Sequence, residues 1–217
     1  MSTKGKKLIF EGEVLRREVH LDVFEFGLDP EVSVFLFGGT GIDEEEYERR
    51  RESVIPLFDS VDTDTLQLRL VYATAPYDVP FARFSEFPDA LDNWNKHLEE
   101  EIFARWSDTP FIVASFSGSV ALILNGAEQS TSCIGGAAIA PDELKTTFAC
   151  PKHWENKLAV FTSISDRVCS DKDNQRAVAT LVEVGEAIEF EIHARTHGLI
   201  EYLRQGALLD WLTSFPQ

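Results

Sequence analysis

The stretch Phe111–Leu124, FIVASFSGSVALIL, constrains the fold more than any other part of this sequence. Phe111 to Ala114 is an apolar run of the kind that forms a buried strand. Ser115-Phe116-Ser117-Gly118-Ser119 comes next, and Val120 to Leu124 then opens a buried helix. Passing from strand to helix within so few residues requires a sharp turn. Bulky side chains two positions to either side of Ser117 would collide with the neighbouring strand and helix, and both flanks, Ser115 and Ser119, are small. Such a turn pushes the central serine outward, where its hydroxyl can meet a ligand. Small residues between a strand and a helix are nevertheless common in α/β proteins, so the stretch alone speaks for the fold before it speaks for chemistry.

The rest of the chain repeats this alternation. Leu8 to Val14 and Val19 to Phe26 alternate apolar and polar residues and predict a hairpin at a sheet edge. Val32–Phe37 is a continuous apolar run suited to a central strand, ending in Gly38-Gly39-Thr40-Gly41. Asp43 then opens a charged helix, and Leu66 to Ala73 is the next strand. An aromatic loop with Tyr77, Phe81, Phe84 and Phe87 leads to an amphipathic helix over Asp89 to Trp106. Beyond the opening stretch, strands are expected over Thr131 to Ala140, Leu158 to Ile164 and Ala187 to His193. Helices are expected over Asp171 to Val182 and Leu199 to Leu212. The fold class is α/β: one domain over 1–217, with a mostly parallel sheet of about eight strands and helices on both faces.

Composition narrows the partners. Asp and Glu number 37 against 20 Lys and Arg, a formal net charge of −17, which repels nucleic-acid backbones and anionic membrane surfaces. Three widely spaced cysteines support neither a disulfide framework nor a zinc site, and no metal or cofactor is expected. The apolar part after MSTKGKK is too short for a signal-peptide core, and no apolar run approaches the ~18 residues of a membrane helix. A soluble cytoplasmic protein is expected; the oligomeric state is not readable.

In mostly parallel sheets, ligands bind at the carboxyl ends of the strands. Four features fall there: the glycine loop after the third strand, Ser117 after the fifth, Asp166 after Leu158 to Ile164, and His197 after the last. Asp166 lies 49 residues after Ser117, and His197 lies 31 after Asp166. The pieces FLFGGTG, ASFSGSVAL, FTSISDRV and ARTHGLIEYL, in this order, resemble the α/β-hydrolase family. The resemblance implies Ser117 as nucleophile, His197 as general base and then acid, and Asp166 as the group that orients the imidazole. It further implies an oxyanion hole from the backbone N–H of Gly118 together with Gly39 or Thr40. Two features depart from the family pattern: the turn is flanked by serines rather than glycines, and Phe37-Gly38 stands where a His-Gly pair is frequent.

Each position has a competing reading. Ser119 is the alternative nucleophile, Asp171 and Asp173 are alternative acids better explained as helix caps, and His193 is the alternative base. Asp166 also reads as a turn cap. The stretch between the sixth and seventh strands has room for no more than one helix, so no large lid is expected. An accessible acyl substrate, an ester or a thioester, fits that architecture, with Tyr77, Phe81 and Phe84 lining the acyl side. A non-catalytic binding module on the same fold is the alternative. GGTG as a phosphate loop is disfavoured, because it lacks the GxGxxG and GK[ST] spacings and precedes an acidic helix start.

Overall fold

A computed structural model describes residues 3–10, 17–39, 44–59, 66–73, 92, 95, 96, 98–106, 108–142, 151 and 153–215. Eight strands form one sheet: β1 (Thr3–Phe10), β2 (Arg17–Phe26), β3 (Val32–Phe37), β4 (Leu68–Ala73), β5 (Phe111–Phe116), β6 (Cys133–Ile139), β7 (Lys157–Thr162) and β8 (Ile188–Glu191). Their spatial order is β1-β2-β4-β3-β5-β6-β7-β8. β1 and β2 pair antiparallel, as do β2 and β4, and every later pair is parallel. The sequence thus reads correctly as a mostly parallel sheet with an edge hairpin.

Two apolar layers enclose this sheet because successive side chains of a strand point to opposite faces. On one face Phe35, Phe37 and Val113 pack with Val120 to Ala127 of α2 (Val120–Glu128) and with Leu181 of α3 (Lys172–Gly185). On the other, Leu36, Ile112 and Ala114 pack with Tyr47, Val54 and Phe58 of α1 (Glu44–Phe58). Leu199 and Tyr202 of α4 (Leu199–Leu203) and Trp211 of α5 (Ala207–Leu212) complete that second layer. All six residues of β5 are buried, in keeping with the apolar run Phe111 to Ala114.

Four elements differ from the sequence-based expectation. The first strand, expected over Leu8 to Val14, is β1 (Thr3–Phe10), with 11–14 outside the described residues. The helix expected over Asp89 to Trp106 ends in a π turn, Leu98–Ile102, followed by a 3-10 turn, Phe103–Trp106. The wide turn brings both Ile102 and Phe103 into the core, where Phe103 stacks on Phe111 with ring centroids 4.8 Å apart. The single helix expected over Leu199 to Leu212 is two, α4 and α5, because Gly206 sits in the left-handed region at φ 76 and stops the first. The last strand is shorter than expected, since β8 pairs only with β7 at the sheet edge. Asp43, the expected first residue of the charged helix, lies outside the described residues, as do 143–150 and 152 in the link where a lid would sit. Among the described residues, no helix is long and apolar enough to cross a membrane.

Candidate active site

Ser117 comes directly after β5 with φ 55, in the left-handed region that a residue with a Cβ rarely occupies. A short 3-10 turn, Ser117–Ser119, then feeds α2. The turn that the sequence implies is therefore present, and Ser117 is partly exposed while its neighbours Phe116 and Gly118 are buried.

The serine flanks turn out to be structural. Ser119 is fully buried, and its Oγ lies 2.9 Å from the carbonyl oxygen of Gly38 and 2.8 Å from that of Phe116. Carbonyl oxygens only accept, so the Ser119 hydroxyl donates to them, and Ser115 Oγ, 2.6 Å away, donates to Ser119 Oγ. This hydroxyl pair joins the turn to the loop after β3. Ser119 is thereby withdrawn from the partly exposed position that Ser117 occupies.

Three residues from three loops meet at this edge. His197 Nε2 lies 2.8 Å from Ser117 Oγ, and His197 Nδ1 lies 2.9 Å from Asp166 Oδ2. Asp166 is fully buried. Burial alone pushes its carboxyl up, but hydrogen bonds from Tyr202, His197 and the Cys169 N–H outweigh it and hold the group below the usual carboxylate range. An ionised Asp166 only accepts, so Nδ1 carries the imidazole proton and Nε2 is left to accept from Ser117.

The loops are cross-tied. Asp166 Oδ1 accepts from the N–H groups of Val168 at 2.9 Å and Cys169 at 3.2 Å, the turn-capping role expected of it as the alternative. Ser163 Oγ donates to the Ala194 carbonyl at 2.8 Å, linking the loop of Asp166 to the loop of His197. Glu201 accepts from the N–H groups of Arg195 at 2.7 Å and Thr196 at 2.8 Å, and from the Thr196 hydroxyl. The ring of Phe116 stands 4.9 Å from that of His197 and 6.0 Å from that of Tyr202.

Tyr202 is a site residue that no sequence motif marks. Its hydroxyl donates to Asp166 Oδ2 at 2.8 Å, the oxygen that also faces His197. Burial, with the neighbouring Cys169 and Asp166, pushes this phenol upward, so it remains a donor. Glu201 carries a weak sequence signal, being the acidic residue in the first turn of α4.

Of the expected oxyanion donors, Gly39 and Gly118 stand at this edge. The N–H of Gly38 is bonded to Ala73 O at 3.0 Å, which leaves Gly39 as the first glycine of the loop with a free N–H among the described residues. A Cβ on Gly39 would lie 3.1 Å from Cδ1 of Phe116, so the loop approaches that ring as closely as glycine allows. Thr40, Tyr77, Phe81 and Phe84 lie outside the described residues. Asp171 caps α3 as expected, accepting from the Asp173 N–H at 2.8 Å, whereas Asp173 stands in the first turn without capping and pairs with Arg176 at 3.4 Å. His193 is exposed on the loop after β8, and it is His197 that meets Ser117. Among the described residues, no group of three His, Cys, Asp or Glu side chains could hold a metal ion.

No protein-family model matches the sequence, and no curated protein matches it either. Solved structures are similar in fold. An esterase of Rhizomucor miehei superposes with a TM-score of 0.61 at 14% identity, over 99% of this chain and 81% of the esterase. A dienelactone hydrolase from Anabaena variabilis gives 0.60 at 12% identity, over 99% of this chain and 100% of the other. An α/β serine hydrolase homologue from Coxiella burnetii gives 0.56 at 15%, over 97% and 96%. With the strand order, the helices on both faces and the sharp turn after β5, this likeness shows that the chain has the α/β-hydrolase fold.

Proposed function

We propose that the protein is a serine hydrolase that cleaves a carboxylic ester or thioester through an acyl-enzyme intermediate. The observation that carries this reading is the unbroken chain of hydrogen bonds from Ser117 through His197 to Asp166, at 2.8 and 2.9 Å. The fold shared with an esterase and a dienelactone hydrolase supports it.

In this reading Ser117 Oγ attacks the acyl carbon while its proton passes to His197 Nε2. The carbonyl π electrons move onto oxygen, and the N–H groups of Gly39 and Gly118 stabilise the oxyanion. Collapse expels the alcohol or thiol, which takes the proton from His197 and leaves Ser117 acylated. His197 then deprotonates a water that attacks the acyl carbon, and a second collapse returns the proton to Ser117 and releases the carboxylic acid. Asp166 holds the productive tautomer and stabilises the imidazolium in both halves. Ile164 and Val168, 66% and 47% exposed on the loop that carries Asp166, offer apolar surface for the substrate.

Initial rates with short p-nitrophenyl esters test the proposal. Ser117→Ala or His197→Ala should lower kcat/KM by several orders of magnitude. Equal rates in Ser117→Ala and wild type would remove Ser117 from the chemistry.

A further inference from the structure

Beside His197 opens a cleft of about 890 Å³ between α1, α4 and the loop after β8. Its wall is cationic. Arg49 and Arg50 come from α1, Arg195 from the loop and Arg204 from the end of α4. Two carboxylates, Glu46 and Glu201, share that wall, which leaves a surplus of two positive charges in a chain of net charge −17.

Both carboxylates are already engaged. Glu46 accepts from Arg49 Nε at 2.8 Å and from Arg50 Nε at 2.5 Å. Glu201 is turned onto the backbone N–H groups of Arg195 and Thr196. Arg195 and Arg204 are exposed, and neither forms a hydrogen-bonded ion pair among the described residues. Like charges gathered in a concave site repel one another and raise the local concentration of anions. The planar guanidinium presents two parallel N–H groups that match two oxygens of a carboxylate or other oxyanion. Glu46 already bridges two of these arginines, with Arg49 on Oε2 and Arg50 on Oε1.

His197, whose imidazole contacts Ser117, is one of the residues that line the cleft. We infer that it receives a carboxylate carried by the substrate, so that the ester cleaved at Ser117 bears a free acid group. The inference rests on the hydrolase reading of Ser117 and His197.

The test compares kcat/KM for mono-p-nitrophenyl glutarate with that for the neutral p-nitrophenyl valerate, at low salt. Wild type should favour the acid ester about ten-fold, mostly through KM, and the preference should shrink as salt screens the cleft. In Arg195→Gln/Arg204→Gln the ratio should fall to about one, and the corresponding double lysine variant should recover part of it. A ratio unchanged in the glutamine variant, or a wild-type preference for the neutral ester, would overturn the inference; cleavage of the neutral ester that depends on Ser117 would leave the hydrolase reading standing. If neither ester is cleaved, calorimetric titration of monoethyl glutarate decides. Binding weakened by the glutamine substitutions supports an acid-binding cleft without hydrolysis, and no binding overturns it.

Discussion

Ser119 Oγ lies 2.9 Å from the carbonyl oxygen of Gly38, tying the turn that presents Ser117 to the loop after β3. The turn that carries the proposed nucleophile and the loop proposed to hold the oxyanion are thereby tied by one buried hydroxyl, itself bonded to Ser115. Two glycines at these flanks would make the same turn without that tie. The serine flanks exchange conformational freedom for a fixed distance between the two halves of the site.

Ser119→Ala removes the donor and leaves the Gly38 carbonyl and the Ser115 hydroxyl buried without it. The expected cost is about 1–3 kcal/mol in denaturant unfolding. In ester kinetics kcat should fall more than KM changes, because the oxyanion N–H groups would lose their register. Ser115→Ala and Ser119→Ala together should cost less than the sum of the single variants, as hydroxyls in direct contact are coupled. Full additivity would mean that the pair does not act as a unit.

Asp166→Asn keeps the size of the side chain but offers an amide where His197 Nδ1 needs an acceptor. The expected loss in kcat is on the order of 10³–10⁴-fold, with little change in the unfolding midpoint at pH 7 beyond the lost carboxylate bonds. A loss below about ten-fold would show that Asp166 does not orient the imidazole.

Tyr202→Phe tests the second donor on Asp166 Oδ2. The folded-state carboxyl of Asp166 is depressed, so the stability it contributes is present above the ordinary carboxylate range and is lost as pH falls through the folded value. Removing the Tyr202 donor raises that folded value toward the ordinary one. The variant should be less stable than wild type by about 1–2 kcal/mol at pH 7, and the gap should narrow below about pH 4. A gap that is constant with pH would assign the loss to packing rather than to the charged bond.

Gly39→Ala places a Cβ 3.1 Å from the Phe116 ring, which is itself packed against His197 and Tyr202. The ring must give by a few tenths of an ångström, and it stands 4.9 Å from the imidazole. A fall in kcat of about ten-fold or more, with the far-ultraviolet spectrum unchanged, is expected from loss of oxyanion geometry. Unchanged kinetics would place the oxyanion donors elsewhere.

Away from the site, Asp22 is buried and receives the Arg51 guanidinium at 2.7 Å and the Tyr47 hydroxyl at 3.0 Å. Arg51→Met leaves this carboxylate with the Tyr47 hydroxyl but without its cation. The cost should be on the order of 3 kcal/mol in unfolding free energy, while kcat/KM at the distant Ser117 stays within about two-fold. A stability change under about 0.5 kcal/mol would show that the pair is effectively solvated.

The sheet and the meeting of Ser117, Asp166 and His197 were legible in the sequence because they depend on local signals. Each of the three residues lies in the loop that follows a parallel strand, and parallel strands bring the loops at their carboxyl ends to one edge of the sheet. Residues tied across the fold were not legible. Tyr202 reaches Asp166 from 36 positions away, and that contact depends on the rotation of α4 against the sheet. The flanking serines read as a looser substitute for glycine, since nothing local announces a bond from Ser119 to Gly38 across 81 positions. Gly206 lies inside an amphipathic stretch that could continue as helix, and packing of both Tyr202 and Trp211 in one layer goes with the break.

The most direct test is mass spectrometry of the folded protein after exposure to a fluorophosphonate. The expected result is a single phosphonyl adduct on the peptide that carries Ser117, lost in Ser117→Ala and slowed strongly in His197→Ala. A wild-type protein that stays unlabelled, or an adduct that persists in Ser117→Ala, would contradict the assignment of Ser117 as the nucleophile of a hydrolase.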